Sequence, residues 1–255
     1  MGLQNDLNIL KEWTDEWQIK FNSLKCKVMH FGNSNPKYKY KIENVVLEEG
    51  KLEKDLGIFI SNDISWSHHI SYMINKSNKQ MGRIKHAFEF LDKNIIRLLY
   101  KSLVRPHLEY GAVIWNPQRQ GEIDRIEKVQ NRSTKIPCLY GFSHEERNSK
   151  LNLPTLENRR RRGDLIQMFK LVKNIDEINL HNPVQYFNVD GRARGHTLKI
   201  HRELVNKQNN CKFNTIRHNF FTNRVANDWN ILSQEAIDST SVNQFKNHID
   251  KQFNF

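Results

Sequence analysis

Residues 66–91 read WSHHISYMINKSNKQMGRIKHAFEFL, and their apolar members recur with a helical period. Trp66, Ile70, Met73, Ile74, Met81, Ile84, Phe88 and Leu91 fall on one long stripe of an α-helix, with Ser65 available as its N-cap. The pattern stays helical downstream. Asn94–Val104 predicts a shorter helix stopped by Pro106, and Leu108–Trp115 another ended by Asn116-Pro117. Glu122–Ile136 follows with Ile123, Ile126, Val129 and Ser133 turned inward, then Thr155–Lys173. Residues 174–214 are polar, rich in Asn, His and Gly, and without a period, which predicts a long loop or mobile arm. Two last helices are predicted near Ile216–Leu232 and Val242–Phe253.

Upstream of the long stripe the period changes. Leu3, Leu7, Leu10, Trp13 and Trp17 mark an amphipathic helix within Leu3–Lys20. Lys25–Phe31 and Tyr38–Ile42 then alternate as strands around the turn cluster Gly32–Pro36. Val45–Leu47 and Leu56–Ile60 are further β segments, the last with Gly57 inside it, where a backbone or ligand approaches closely. The fold class is therefore α+β: a small antiparallel sheet with one flanking helix, followed by a mostly α-helical body. Four stretches are expected, over residues 1–64, 65–173, 174–215 and 216–255.

The chain of 255 residues carries 40 Lys+Arg against 28 Asp+Glu, a formal net charge of +12. Self-repulsion of that excess opposes compaction, so a polyanionic partner, nucleic acid before membrane, is the economical explanation. Cys26, Cys138 and Cys211 lie too far apart for a disulfide framework or a CxxC zinc pair. With no signal peptide and no apolar run of membrane-spanning length, the expectation is an intracellular protein, cytoplasmic or nuclear and not secreted.

Motifs for chemistry are missing. There is no phosphate loop, dinucleotide turn, GxSxG elbow or HExxH helix. After Pro137-Cys138, Tyr140 and Gly141 stand where a deaminase needs a second cysteine. His68-His69 point apart on a helix with no third ligand at chelating spacing, and Asp55 and Asp63 stand singly in different elements. No catalytic, cofactor or metal residue is assigned.

Basic clusters are present. Arg159, Arg160, Arg161 and Arg162 open a helix, and consecutive helical residues fan around its circumference. They are candidates for phosphate contact; the plainer reading is a solvated charged turn with some arginines paired to Glu157 and Asp164. Arg192, Arg194, Lys199 and Arg202, with His196 and His201, lie in the irregular arm and are candidates for tracking a nucleic-acid backbone. A disordered linker would have much the same composition. The five tryptophans, Trp13, Trp17, Trp66, Trp115 and Trp229, read as core or interface anchors.

Segments in one order along the chain resemble the region after the catalytic motif in reverse transcriptases of jockey/CR1-like non-LTR retrotransposons. Leu3–Leu7 through Trp13, Trp17 and Lys25–Gly32 is similar to the palm helix and strand, and Lys54–Ile58 to the primer-grip strand. Leu99–Tyr110 with Trp115 and Pro117, continued by Ile126–Lys135, is similar to the thumb. Leu156–Arg160 with Arg162–Ile166, and Asn219–Val225 with Trp229-Asn230, resemble later segments.

The resemblance implies a parent activity of RNA-templated DNA synthesis. It carries no active-site carboxylate onto this chain, because the family's Phe/Tyr-Ala-Asp-Asp turn has no counterpart here. It implies that Lys25 flanks the incoming nucleotide and that Leu56-Gly57 lets the backbone approach the primer terminus. It implies an RNA–DNA or RNA duplex as partner, no membrane, no cofactor in this chain and Mg in the complete parent, which alone would supply the catalytic half. The expected function is thus a truncated, non-catalytic reverse transcriptase fragment that binds template–primer. The alternatives are a host-recruited binding or scaffold protein built on the same fragment, or a product that folds poorly.

Overall fold

A computed structural model describes residues 2–32, 34–187, 195–203 and 216–255. The chain forms two compact units, Met1–His69 and Ile70–Phe255.

In the first unit, α1 spans Gly2–Glu16. Its Gln4 side chain donates to the Lys41 carbonyl (2.9 Å) and accepts from the Lys41 N–H (2.9 Å), fastening the helix to β2 (Lys41–Ile42). Only Thr14 of α1 is buried; Leu10, Trp13 and Trp17 are exposed, unlike the anchors expected from their spacing. The strands are short and pair two by two. β1 (Lys27–Val28) runs parallel to β4 (Glu48–Glu49), and β2 is antiparallel to β3 (Val45–Val46). β5 (Leu52–Asp55) and β6 (Ile58–Ser61) form an antiparallel hairpin. One of the three pairs is thus parallel, where a wholly antiparallel sheet was expected.

Leu56 and Gly57 form the tip of that hairpin rather than the interior of a strand. Both have positive φ, 44° and 88°, as a two-residue turn matching the twist of the flanking strands requires. The register Asp55↔Ile58 leaves no other residue for the reversal. A single glycine in an alternating run reads as a strand irregularity, whereas here the pattern breaks because the chain turns back.

The helix α2, Ser67–Ala87, begins in the first unit and continues into the second, where Ile70, Met73, Ile74, Met81 and Ile84 are buried, as their spacing predicts. Next comes one continuous helical run: α3 (Lys93–Leu99), a wide π-type turn (Tyr100–Val104) and α4 (Arg105–Glu109). Asp92 caps it, its side chain accepting from the N–H groups of Asn94 and Ile95. The run does not stop before Pro106. A proline lacks a donor and clashes with the carbonyl four residues back. The preceding turn, in which the Arg105 N–H reaches the Tyr100 carbonyl, widens the backbone at that point.

Ile96, Tyr100, Val104 and Leu108 are all buried, at a strict spacing of four. A regular α-helix would rotate such a row by ~40° per step. A π turn holds more residues per turn, which keeps the row on one side. Gly111 (φ 63°) then breaks the chain, where one helix through Leu108–Trp115 was expected, and α5 (Ala112–Trp115) seats Trp115 fully buried. In α6 (Gln120–Ser133), Ile126, Val129, Gln130 and Ser133 face inward. A further helix, α7 (His144–Lys150), was not expected, although Ser143 and Glu146 supply a complete capping box at its start.

Helix α8 (Leu156–Val172), capped by Thr155, packs Leu165, Met168 and Phe169 against α9 (Phe221–Asn230), α10 (Gln234–Ile237) and α11 (Val242–Phe253). Phe169 and Phe245 stack with ring centroids 4.3 Å apart beside Trp229, which is fully buried. The arm segment 195–203 is anchored there. Ile200 and His196 are buried, and the Trp229 indole N–H donates to the Leu198 carbonyl (2.7 Å). Asn230 accepts from the Ile200 N–H (2.9 Å) and donates to its carbonyl (2.9 Å). Among the described residues, no helix is long and apolar enough to cross a membrane.

Candidate nucleic-acid interface

The arginine run is the sharpest basic feature of the sequence, and the second unit engages each member internally. Successive residues of α8 point about 100° apart, so the four guanidinium groups reach different neighbours. Arg159 makes a two-bond pair with Glu109 of α4, one bond being Nη2–Oε2 at 2.9 Å. Arg161 does the same with Asp228 of α9 (Nη2–Oδ1, 2.6 Å), its plane 4.7 Å from the Phe253 ring. Arg162 grips Asp250 of α11 through Nε (2.5 Å) and Nη2 (2.7 Å). Arg160, 3 % exposed, donates from Nε to Asn116 Oδ1 (3.1 Å) and leaves Nη1 without a hydrogen bond.

Hydrogen bonding to Glu109 raises the pKa of Arg159, while desolvation lowers that of Arg160. Fork-to-fork pairing with a carboxylate uses the same two donors that would grip a phosphate. The run therefore ties α8 to three other helices, and a phosphate would have to displace a carboxylate to reach it. Asp164, read as a possible partner of the run, instead pairs with Arg224. Glu157 makes no ion pair with the run among the described residues.

The remaining candidates do not converge on one site. Lys25 closes a short turn (Ser23–Lys25) and is exposed. Leu56, also exposed, and Gly57 sit at the β5–β6 tip. Lys199 is half-buried, with its stem against Gly195, and Arg202 is exposed with Nη2 2.8 Å from His218 Nε2. Arg192 and Arg194 lie outside the described residues.

Two basic surfaces emerge that the clusters in sequence did not single out. From Ser67 to Ala87, α2 contains no Asp or Glu, and Lys76, Lys79, Arg83 and Lys85 are all exposed. Arg83 donates to Gln80 Oε1 and Lys85 to the Arg132 carbonyl, so no carboxylate neutralises either among the described residues. The second surface is the row Arg97, Lys101 and Arg105 on the run Lys93–Glu109. Each member directly follows a buried residue, so the wide turn that aligns the buried row aligns this row too. Burial, with Arg105, Arg97 and Arg159 nearby, lowers the pKa of Lys101. Glu109 alone serves both Arg105 (3.4 Å) and Arg159. The missing acids of α2 and the four-residue spacing were both legible in the sequence.

His69 Nδ1 accepts from the Phe59 N–H (3.3 Å), and His68 lies edge-on to the Phe59 ring. Asp63 accepts from Ser61 Oγ (2.7 Å) and the Ser65 N–H (3.0 Å). Among the described residues, no group of three or more His, Cys, Asp or Glu is placed to hold a metal ion.

The chain is 25 % identical over 190 residues to a probable RNA-directed DNA polymerase from transposon X-element of Drosophila melanogaster, 71 % of this chain and 19 % of that protein. It is 25 % identical over 171 residues to a probable RNA-directed DNA polymerase from transposon BS of the same organism, 61 % of this chain and 18 % of that protein. With the RNA-directed DNA polymerase from mobile element jockey, also of Drosophila melanogaster, it shares 21 % over 140 residues, 52 % of this chain and 15 % of that protein. The chain thus spans less than a fifth of the length of the polymerases it matches. No family model and no solved structure matches it.

Proposed function

Because the chain is related to the reverse transcriptases of jockey-like mobile elements, we propose that it binds a template–primer duplex and contributes no catalytic carboxylate. The observation that carries this reading is the acid-free helix α2, whose exposed Lys76, Lys79 and Arg83 fall within about 60° of one another around the helix. Such a surface is unfavourable alone and is relieved by a polyanion that releases its counterions on binding. Lys25 and the Leu56-Gly57 tip extend the proposal to the first unit, as contacts to the nucleotide and the primer end. Polymerisation would need aspartates from the rest of a polymerase.

The test is binding of a fluorescent RNA–DNA duplex across a salt series, with nucleotide incorporation assayed in parallel. The expected result is tight binding at low salt, a steep log–log decline, and no incorporation. Absence of binding at low salt would leave the resemblance as ancestry alone. Incorporation by the purified chain would overturn the non-catalytic half of the proposal.

A further inference from the structure

The arginine run is internally committed, which raises the question of what faces the phosphates. On the run Lys93–Glu109, Arg97, Lys101 and Arg105 recur every four residues. A four-residue step advances ~6 Å along a helix, close to two of the ~3.4 Å axial steps between successive phosphates of one strand. In a regular α-helix this row would drift around the axis; the wide turn Tyr100–Val104 counters that drift.

The row is fixed from beneath. Tyr100 is buried and donates its hydroxyl to Gln130 Oε1 (2.8 Å), while Gln130 Nε2 donates to the Pro154 carbonyl (3.1 Å). Arg159 reaches the row from α8 through Glu109. Glu109 is thus shared by Arg105 and Arg159, while Lys101 lies near Arg105, Arg97 and Arg159. Arg97 is exposed, and neither it nor Lys101 has a carboxylate partner among the described residues. Lys101 is held half-buried among like charges.

We infer that Arg97, Lys101 and Arg105 form a track for the phosphates of one nucleic-acid strand, the wide turn setting its register and Arg159 holding Glu109 at its end. This rests on the proposed template–primer binding and names a second surface, besides α2, that takes part in it. The anion supplies the countercharge that the fold withholds. Arg159 supports the track by holding Glu109 and is not itself a phosphate contact.

The experiment compares the whole chain with Arg97→Ala/Lys101→Ala and with Lys135→Ala/Lys251→Ala, which removes the same charge from exposed positions elsewhere. Each is titrated with the RNA–DNA duplex across a salt series, and thermal midpoints are recorded. The track predicts that the first pair lowers the log–log salt slope by about two and low-salt affinity at least about tenfold, with little change for the second pair. The charge-preserving Arg97→Lys/Lys101→Arg is expected to bind like the parent. If alanine at 101 lowers the midpoint, Lys101→Gln, which keeps much of the stem, replaces it. Equal losses in both alanine pairs, or none in the first, would overturn the track while leaving duplex binding intact. No binding by the parent chain would remove both proposals together.

Discussion

Arg224 of α9 and Asp164 of α8 form a two-bond ion pair, with Nε–Oδ2 and Nη2–Oδ1 both 2.8 Å, and their side chains are 11 % and 6 % exposed. The remaining valences are filled as well. Asp164 Oδ2 also accepts from Asn116 Nδ2 (3.0 Å), and Arg224 Nη2 donates to the Val113 carbonyl (2.6 Å). The pair fixes the angle at which α9 crosses α8 and holds α5 beside both. Removing one partner strands a buried charge, which costs about 3–5 kcal/mol. Arg224→Met and Asp164→Asn are each expected to lower unfolding stability by that order in a urea titration. A change below about 1 kcal/mol would show the pair to be incidental.

The arginine run has a structural share that binding assays alone would miss. Its half-exposed pairs are each worth under about 1 kcal/mol, and buried Arg160 more. Changing Arg159–Arg162 together to alanine is expected to lower stability by roughly 2–4 kcal/mol, since Glu109, Asn116, Asp228 and Asp250 all lose a donor. Urea melts of the quadruple variant check it. An unchanged midpoint would mean that these pairs contribute nothing.

Tyr100 links the wide turn to α6. Burial pushes its phenol far above the ordinary range, so the hydroxyl stays a donor at every working pH. Tyr100→Phe leaves Gln130 Oε1 buried and unpaired, which costs about 1–3 kcal/mol. Amide exchange should then speed up at Val104 and Arg105 before it does in α8. Uniform acceleration would indicate global destabilisation only.

The β5–β6 tip carries a mismatch between residue and backbone. Leu56 is 83 % exposed, yet holds φ 44°, a conformation that asparagine or glycine adopts more readily. Leu56→Asn is expected to stabilise the hairpin by about 1 kcal/mol. Gly57→Ala, at φ 88°, is expected to destabilise it by a similar amount. Hydrogen exchange at Leu52–Asp55 and Ile58–Ser61 reads both. If Leu56→Asn loosens the hairpin, the leucine makes a contact worth more than its strain.

His196 is buried against Trp229, its Nε2 2.9 Å from the Trp229 carbonyl. Desolvation lowers its pKa, with Lys199 assisting and the Trp229 carbonyl opposing. The unfolded chain therefore takes up a proton at the ordinary value of ~6.5 while the fold resists it. Stability from this residue is fully present above ~6.5 and declines as pH falls toward the depressed folded value. Melts between pH 5 and 8 are expected to lose part of this acid sensitivity in His196→Gln. An identical pH profile would place the titration elsewhere.

Local information was readable wherever structure depends on near neighbours. The stripe in α2, the Thr155 cap, the inward face of α6 and the excess of positive charge all follow from residues a few positions apart. The α7 capping box and the acid-free span of α2 follow from near neighbours in the same way. The order of matching segments identified the relationship to jockey-like polymerases without any contact being known.

Tertiary structure decided what the charges do. Arg159, Arg161 and Arg162 find carboxylates 50, 67 and 88 residues away in sequence, a distance at which period and spacing carry no signal. Whether Leu56-Gly57 turns or stays extended depended on the pairing of β5 with β6. Burial of Ile200 depended on Trp229 and Asn230 coming to meet it. A sequence specifies how many charges and apolar groups a chain has. Which of them neutralise each other, and which are left facing a partner, is fixed only when helices distant in sequence pack together.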